Sequence, residues 1–150
     1  MRIVLIGVSH WHTPFYSEPV LAMTDATIVG VSDPDAGRAA PLADKANCPV
    51  FTDYREMCAS LKPDFAFVLG RHCDMADEAR FLIESGIPFA IEKPCALNAA
   101  EAQDMARRAA AAGAFAAVPL VMRVGRLPIA DLADNAAAVA LIEAGYAMSP

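Results

Sequence analysis

Residues 2–12, RIVLIGVSHWH, constrain the rest of the chain more than any other stretch. Ile3, Val4, Leu5 and Ile6 form an unbroken apolar run closed by Gly7. A run of that kind suits a strand covered on both faces in the middle of a parallel sheet. Parallel neighbours cannot be joined by a tight hairpin, so every further strand must arrive through a crossover, usually a helix. Gly7 opens a turn, and the sequence becomes helical soon after. Strand, glycine turn and helix together make an entry where backbone N–H groups and the helix dipole can face a diphosphate. In its dinucleotide-binding form this turn reads G-x-G-x-x-G. Here only Gly7 is glycine, with Ser9 and His12 at the second and third positions. The turn alone is equally compatible with an ordinary strand-to-loop connection.

The remaining sequence alternates between strand and helix patterns. Thr13 and Pro14 predict a helix start, with Thr13 as N-cap and Phe15, Val20, Leu21 and Met23 toward the sheet. Pro19 then falls inside the helix and should kink it, unless the helix begins nearer Ser17. A second strand over residues 26–32 ends at Asp33, and a helix beginning at residues 33–35 runs to about residue 46, weakened by Pro41. Residues 49–52 read as a short strand. Asp53 and Glu56 form a capping box for a helix through residue 61. Residues 64–69 are the fourth strand, after which Asp74 caps a helix with Met75, Ala79, Leu82 and Ile83 on one face and Gly86 past its end. Residues 88–91 form the fifth strand. Asn98 with Glu101 opens an alanine-rich helix to residue 112, and residues 115–122 form a sixth strand. Pro128 begins a last helix with Ile129, Leu132, Ala136 and Val139 on one stripe. This alternation predicts an α/β fold, a doubly wound parallel sheet between two helix layers.

A chain of 150 residues supports one domain with a proper core. The net charge of −6 argues against a nucleic-acid surface, and no apolar run approaches the ~20 residues of a membrane helix. The N-terminus enters a strand without a basic, cleavable leader, so the sequence predicts a cytoplasmic protein. Cys48, Cys58, Cys73 and Cys95 form no C-x-x-C pair and are expected to be reduced thiols, mostly packed as small apolar groups.

Two further features point to chemistry. Asp33 lies twenty-six positions after Gly7, near the offset of ~20 at which an acidic residue in such a fold accepts hydrogen bonds from an adenosine ribose. A carboxylate there repels a 2′-phosphate and favours NAD over NADP, a preference Arg38 could soften. The same aspartate is also a plausible helix N-cap. Glu92-Lys93-Pro94 follows a buried strand at the carboxyl edge of the sheet, where open α/β proteins place ligands. Lys93 would reach into that crevice and could hold a substrate hydroxyl or transfer its proton. His10 and His12, with His72 or Cys73, can be read as a metal site, but no further ligand pair at a sensible spacing is visible and no metal is expected. Trp11 reads as packing or stacking near the nucleotide. No Ser-His-Asp order or G-x-S-x-G elbow supports a hydrolase.

The order of these features resembles the glucose-fructose oxidoreductase / inositol dehydrogenase (Gfo/Idh/MocA) family over essentially the whole chain. The resemblance rests on a glycine turn, an acidic end to strand two, a helix closed by Gly86, and a strand running into Glu92-Lys93-Pro94. It implies a Rossmann-type domain over residues 1–122 and the start of an inter-domain segment over residues 123–150, without the family's second α/β domain. It further implies NAD, or less readily NADP, held by Gly7, Val8, Ser9, His10, Trp11, His12, Asp33, Arg38, Gly70, Arg71, His72, Glu92 and Lys93. Lys93 would be the catalytic residue beside the nicotinamide. The implied activity is hydride transfer to or from a sugar, polyol or similar small hydroxy compound, with a homo-oligomer as a further possibility. The sequence departs from the family at Ser9, His12, Gly70-Arg71 (usually Thr-Pro) and Met75 (often histidine). The family's second domain supplies further catalytic residues, so the rival expectation is a nucleotide-binding or interaction module without turnover of its own, acting with a partner.

Overall fold

A computed structural model describes residues 1–119 and 130–131. Its elements are β1 (Arg2–Ile6), α1 (Thr13–Ala22), β2 (Thr27–Ser32), α2 (Ala36–Ala46), β3 (Val50–Phe51), α3 (Tyr54–Leu61), β4 (Phe65–Val68), α4 (His72–Glu84), β5 (Phe89–Ile91), α5 (Ala99–Ala112), β6 (Ala116–Val118) and β7 (Ala130–Asp131). The sheet order is β3-β2-β1-β4-β5-β6-β7. The first six strands are parallel, and β7 pairs antiparallel with β6. Chain order reverses at β1, which is hydrogen-bonded to β2 on one side and β4 on the other. That reversal opens a crevice at the carboxyl ends of β1, β2 and β4, the place where doubly wound folds bind ligands.

The apolar run that predicted a buried strand is indeed covered on both faces, because alternate β1 residues enter different cores. Val4 and Ile6 join Met57, Met75, Leu82, Phe89 and Met105 beneath α3, α4 and α5. Ile3 and Leu5 join Tyr16, Val20, Ile28 and Val31 beneath α1 and α2. Burying a side chain of this size is worth about 1.5–3 kcal/mol, so these two layers set the register of the crossovers.

Several boundaries differ from the sequence expectation for local reasons. Thr13 is the first residue of α1 rather than its cap, and its Oγ1 donates back to the His10 carbonyl at 2.6 Å. The buried stripe of α1 is Thr13, Tyr16, Ser17 and Val20, leaving Phe15 and Met23 exposed instead of facing the sheet. Pro19 and Pro41 both lie within helices without ending them. Asp35 caps α2, its carboxylate accepting from the Gly37 N–H at 3.0 Å. Helix α4 begins at His72, two residues before Asp74, which sits in the first turn and holds Arg71 Nε at 2.8 Å. The Asn98 cap is as expected, with Oδ1 accepting from Glu101 N–H at 2.9 Å.

Ala130 and Asp131 form a strand on the open edge of β6, where a helix had been expected. The edge of β6 offers unpaired backbone groups, and an antiparallel segment satisfies them. The rest of that expected helix, and residues 120–122 of the expected sixth strand, lie outside the described residues.

Candidate functional site

The site begins with one backbone contact. Gly7 has φ +69°, and a Cβ there would lie 2.2 Å from Gly70 Cα. Only glycine permits both the left-handed turn and this approach. The loop beyond it is stitched to its surroundings. Gly7 N–H donates to Ser32 O at 2.7 Å, Val8 N–H to Asp33 Oδ2 at 3.0 Å, and His10 N–H to Leu69 O at 3.1 Å. His12 N–H donates to His10 Nδ1 at 3.1 Å.

The entrance of α1 is therefore less available to an anion than the strand–turn–helix pattern implied. Thr13 and Phe15 N–H groups are turned back to the carbonyls of His10 and His12, and Pro14 has none. Among the loop amides, those of Ser9 and Trp11 make no hydrogen bond with the described residues. Ser9, with its hydroxyl, borders the crevice beside the Arg38 and Arg71 side chains.

Two adjoining cavities occupy this crevice. The larger, about 320 Å³, lies between the ends of β1 and β2 and the starts of α3 and α4, bordered by Asp33, Pro34, Thr52, Tyr54, Arg71 and Glu78 among others. The smaller, about 170 Å³, lies between the loop and Arg38 and includes Gly7, Ser9 and Gly70 in its wall. Asp33 borders both. It is buried, and its two carboxylate oxygens accept from Val8 N–H and Asp35 N–H, each at 3.0 Å. One carboxylate thus fixes both the loop and the turn into α2.

The residues singled out from the sequence fall into two groups along the rim. Gly7, Ser9, Asp33, Arg38, Gly70 and Arg71 wall the cavities, with Val8 held against them through Asp33. His10, Trp11, His12, His72, Glu92 and Lys93 gather separately toward β5. There Glu92 is fully buried. Its Oε2 accepts a short hydrogen bond from the Tyr16 hydroxyl, and its Oε1 accepts from the Lys93 backbone N–H at 3.0 Å. His12 Nδ1 approaches Oε1 to 3.1 Å, but off the line of a hydrogen bond, so neither ring nitrogen has a hydrogen-bond partner among the described residues. Burial and the neighbouring Glu92 push the Tyr16 phenol up. Burial pushes the His10 imidazole down, with Glu92 opposing and His12, His72 and Lys93 reinforcing that shift. The Lys93–Pro94 peptide is cis and ends this segment.

Three participants escaped the sequence reading. Tyr16 was hidden by the expectation that Phe15 faced the sheet. Tyr54 opens α3 and lines the larger cavity. Glu78 is 6% exposed and borders both cavities. Burial, then Asp74 and Asp33, push its carboxyl up to about 8. Its signal was available, since position 78 falls between Met75 and Ala79 on the apolar face of α4.

Residues 1–119 match the family model described as "Oxidoreductase family, NAD-binding Rossmann fold". The chain belongs to the Gfo/Idh/MocA family. Solved structures agree in fold. A UDP-N-acetylglucosamine 3-dehydrogenase, GnnA, from Acidithiobacillus ferrooxidans superposes with TM-score 0.72 and 27% identity, over 83% of this chain and 39% of that one. An oxidoreductase from Agrobacterium radiobacter, in complex with NAD+, L-tartaric acid and magnesium, gives TM-score 0.75 and 18% identity over 82% and 36%. GenD2 from gentamicin A biosynthesis, in complex with NAD, gives 0.72 and 22% over 79% and 34%. The chain therefore spans little more than a third of the length of these proteins. Comparison with curated proteins found no match. No helix among the described residues is long and apolar enough to cross a membrane.

Proposed function

We propose that this chain is the NAD-binding part of a dehydrogenase acting on a sugar, polyol or related hydroxy compound. The observation that carries the reading is the Asp33 carboxylate at the end of β2, bordering both cavities with the Gly7 turn beside it. An acidic residue there suits ribose hydroxyls and disfavours a 2′-phosphate, which supports NAD over NADP. The residues present fit such a nucleotide. The larger cavity offers space for an adenosine, and Ser9, Arg38 and Arg71 offer donors for a diphosphate.

NAD, when bound, supplies the hydride acceptor. The chain's own contribution to chemistry is then Lys93, half-buried beside the histidine group at the rim. Its side chain can orient a substrate oxygen; as the neutral amine it takes the hydroxyl proton when the substrate is oxidised, and as the ammonium it returns that proton in the reverse direction. Its backbone is pinned, because Glu92 Oε1 accepts the Lys93 N–H while Tyr16 holds the other oxygen. The substrate class follows the family and relatives such as the UDP-N-acetylglucosamine 3-dehydrogenase.

Titration with NADH, followed by nicotinamide fluorescence, tests the binding half of this reading. Saturable binding is expected, tighter than that of NADPH. Turnover on a polyol and sugar panel then separates a dehydrogenase from a nucleotide-binding module without turnover. Failure to bind either dinucleotide at millimolar concentration would remove the proposal.

A further inference from the structure

We propose that His10, His12 and Glu92 form a binding site for one divalent transition metal ion of the zinc class, next to Lys93 and separate from the dinucleotide cavities. All three histidines of the chain converge here. The His10 ring lies 4.8 Å from that of His12 and 5.8 Å from that of His72. One ligand atom from each of His10, His12 and Glu92 lies within 4.8 Å of the others. His12 Nδ1 and Glu92 Oε1 are 3.1 Å apart. Two atoms bound to one tetrahedral zinc at its usual bond lengths stand about 3.3 Å apart, so this pair needs almost no adjustment.

The hydrogen-bond pattern around the group is hard to explain without such a ligand. His12 is 1% exposed, yet among the described residues neither of its ring nitrogens has a hydrogen-bond partner, and its close approach to Glu92 is off-line. A buried imidazole normally satisfies at least its N–H. His72 Nε2 is also buried and has no hydrogen-bond partner among the described residues, with its ring next to that of His10. Glu92 is already held by Tyr16 and by the Lys93 N–H, the outer support that ligating carboxylates require. Two imidazoles and one carboxylate select zinc, cobalt, nickel or copper over magnesium or calcium. The half-buried His10 gives the ion its way in. Ligation through either His10 nitrogen displaces the hydrogen bond its Nδ1 accepts from His12 N–H, a loss that the metal–ligand bond must offset.

The test uses the chain stripped with chelator, titrated with cobalt(II) and, in parallel, with zinc by calorimetry. One equivalent is expected, with visible cobalt absorption of four- or five-coordinate intensity. His10→Ala, at a half-exposed position that leaves the buried pair intact, should weaken affinity at least 10- to 100-fold while circular dichroism stays unchanged. Glu92→Gln should also weaken it at nearly constant shape. A folded chain that takes up no ion at millimolar metal overturns the proposal. So does uptake that His10→Ala leaves unchanged, or a near-ultraviolet thiolate–cobalt band, which would place the ion on Cys73. NADH titration of the same samples keeps the two readings apart, since metal uptake without NADH binding overturns the dehydrogenase and not the metal site.

Discussion

Gly7 and Gly70 meet backbone to backbone, so closely that a Cβ on the first would stand 2.2 Å from the Cα of the second. The contact joins the end of β1 to the turn after β4 and sets the floor of the crevice. Gly7→Ala must move a main chain as well as accept φ +69°, and it should cost more than about 3 kcal/mol. Gly86 provides the control. It has φ +66° with nothing within 4 Å of its built Cβ, so Gly86→Ala should cost only about 1 kcal/mol. Urea unfolding of the two variants checks the contrast, and equal losses would mean the Gly7–Gly70 approach is unimportant.

Asp33→Ala is expected to weaken NAD more than NADP, because it removes an acceptor for ribose hydroxyls and a charge that repels a phosphate. It also frees the Val8 and Asp35 N–H groups, so about 1–3 kcal/mol of stability should go with it. Dinucleotide titrations read the first effect and thermal melts the second. Equal losses of affinity for the two dinucleotides would count against the ribose role.

Lys93→Ala should leave NADH affinity within about threefold while lowering turnover by ~10²-fold or more, the usual size of a lost proton-transfer or orienting group. The comparison requires a preparation with measurable turnover on one of the panel substrates. A large loss of NADH affinity would make Lys93 a binding residue instead.

Glu78 makes stability depend on pH. Its folded carboxyl titrates at about 8, well above its ordinary value of 4.5, so the folded state holds its proton more tightly than the unfolded chain does. Stability from this group is complete below pH 4.5 and falls as pH rises toward 8, by an amount on the order of a few kcal/mol. Glu78→Gln removes the titration and should flatten the melting temperature between pH 5 and 8. If the wild-type and variant profiles remain parallel, Glu78 is ionised in the folded protein.

Much of this was legible because it is written in local patterns. The Ile3–Gly7 run, the Asp53 and Asn98 caps and the Glu92-Lys93-Pro94 turn each carry their geometry in consecutive residues. The alternation around them leaves the doubly wound sheet as the natural solution. What stayed hidden depends on distance in sequence. Tyr16 reaches Glu92 across seventy-six positions, and no local spacing announces that contact. The histidine group reads as incomplete in sequence for the same reason, since Glu92 joins it from just beyond β5. Helix starts moved where the chain turned one to three residues before the expected cap had acted: α1 begins at Thr13 itself, and α4 at His72, two residues before Asp74.

Trp11 is 69% exposed, and its ring centre is 3.8 Å from that of His12. It is the single indole of the chain. Excited at the red edge, beyond the absorption of the three tyrosines, its intrinsic emission reports on this loop alone. Quenching or recovery of that light would follow events at the rim in real time, with no label attached.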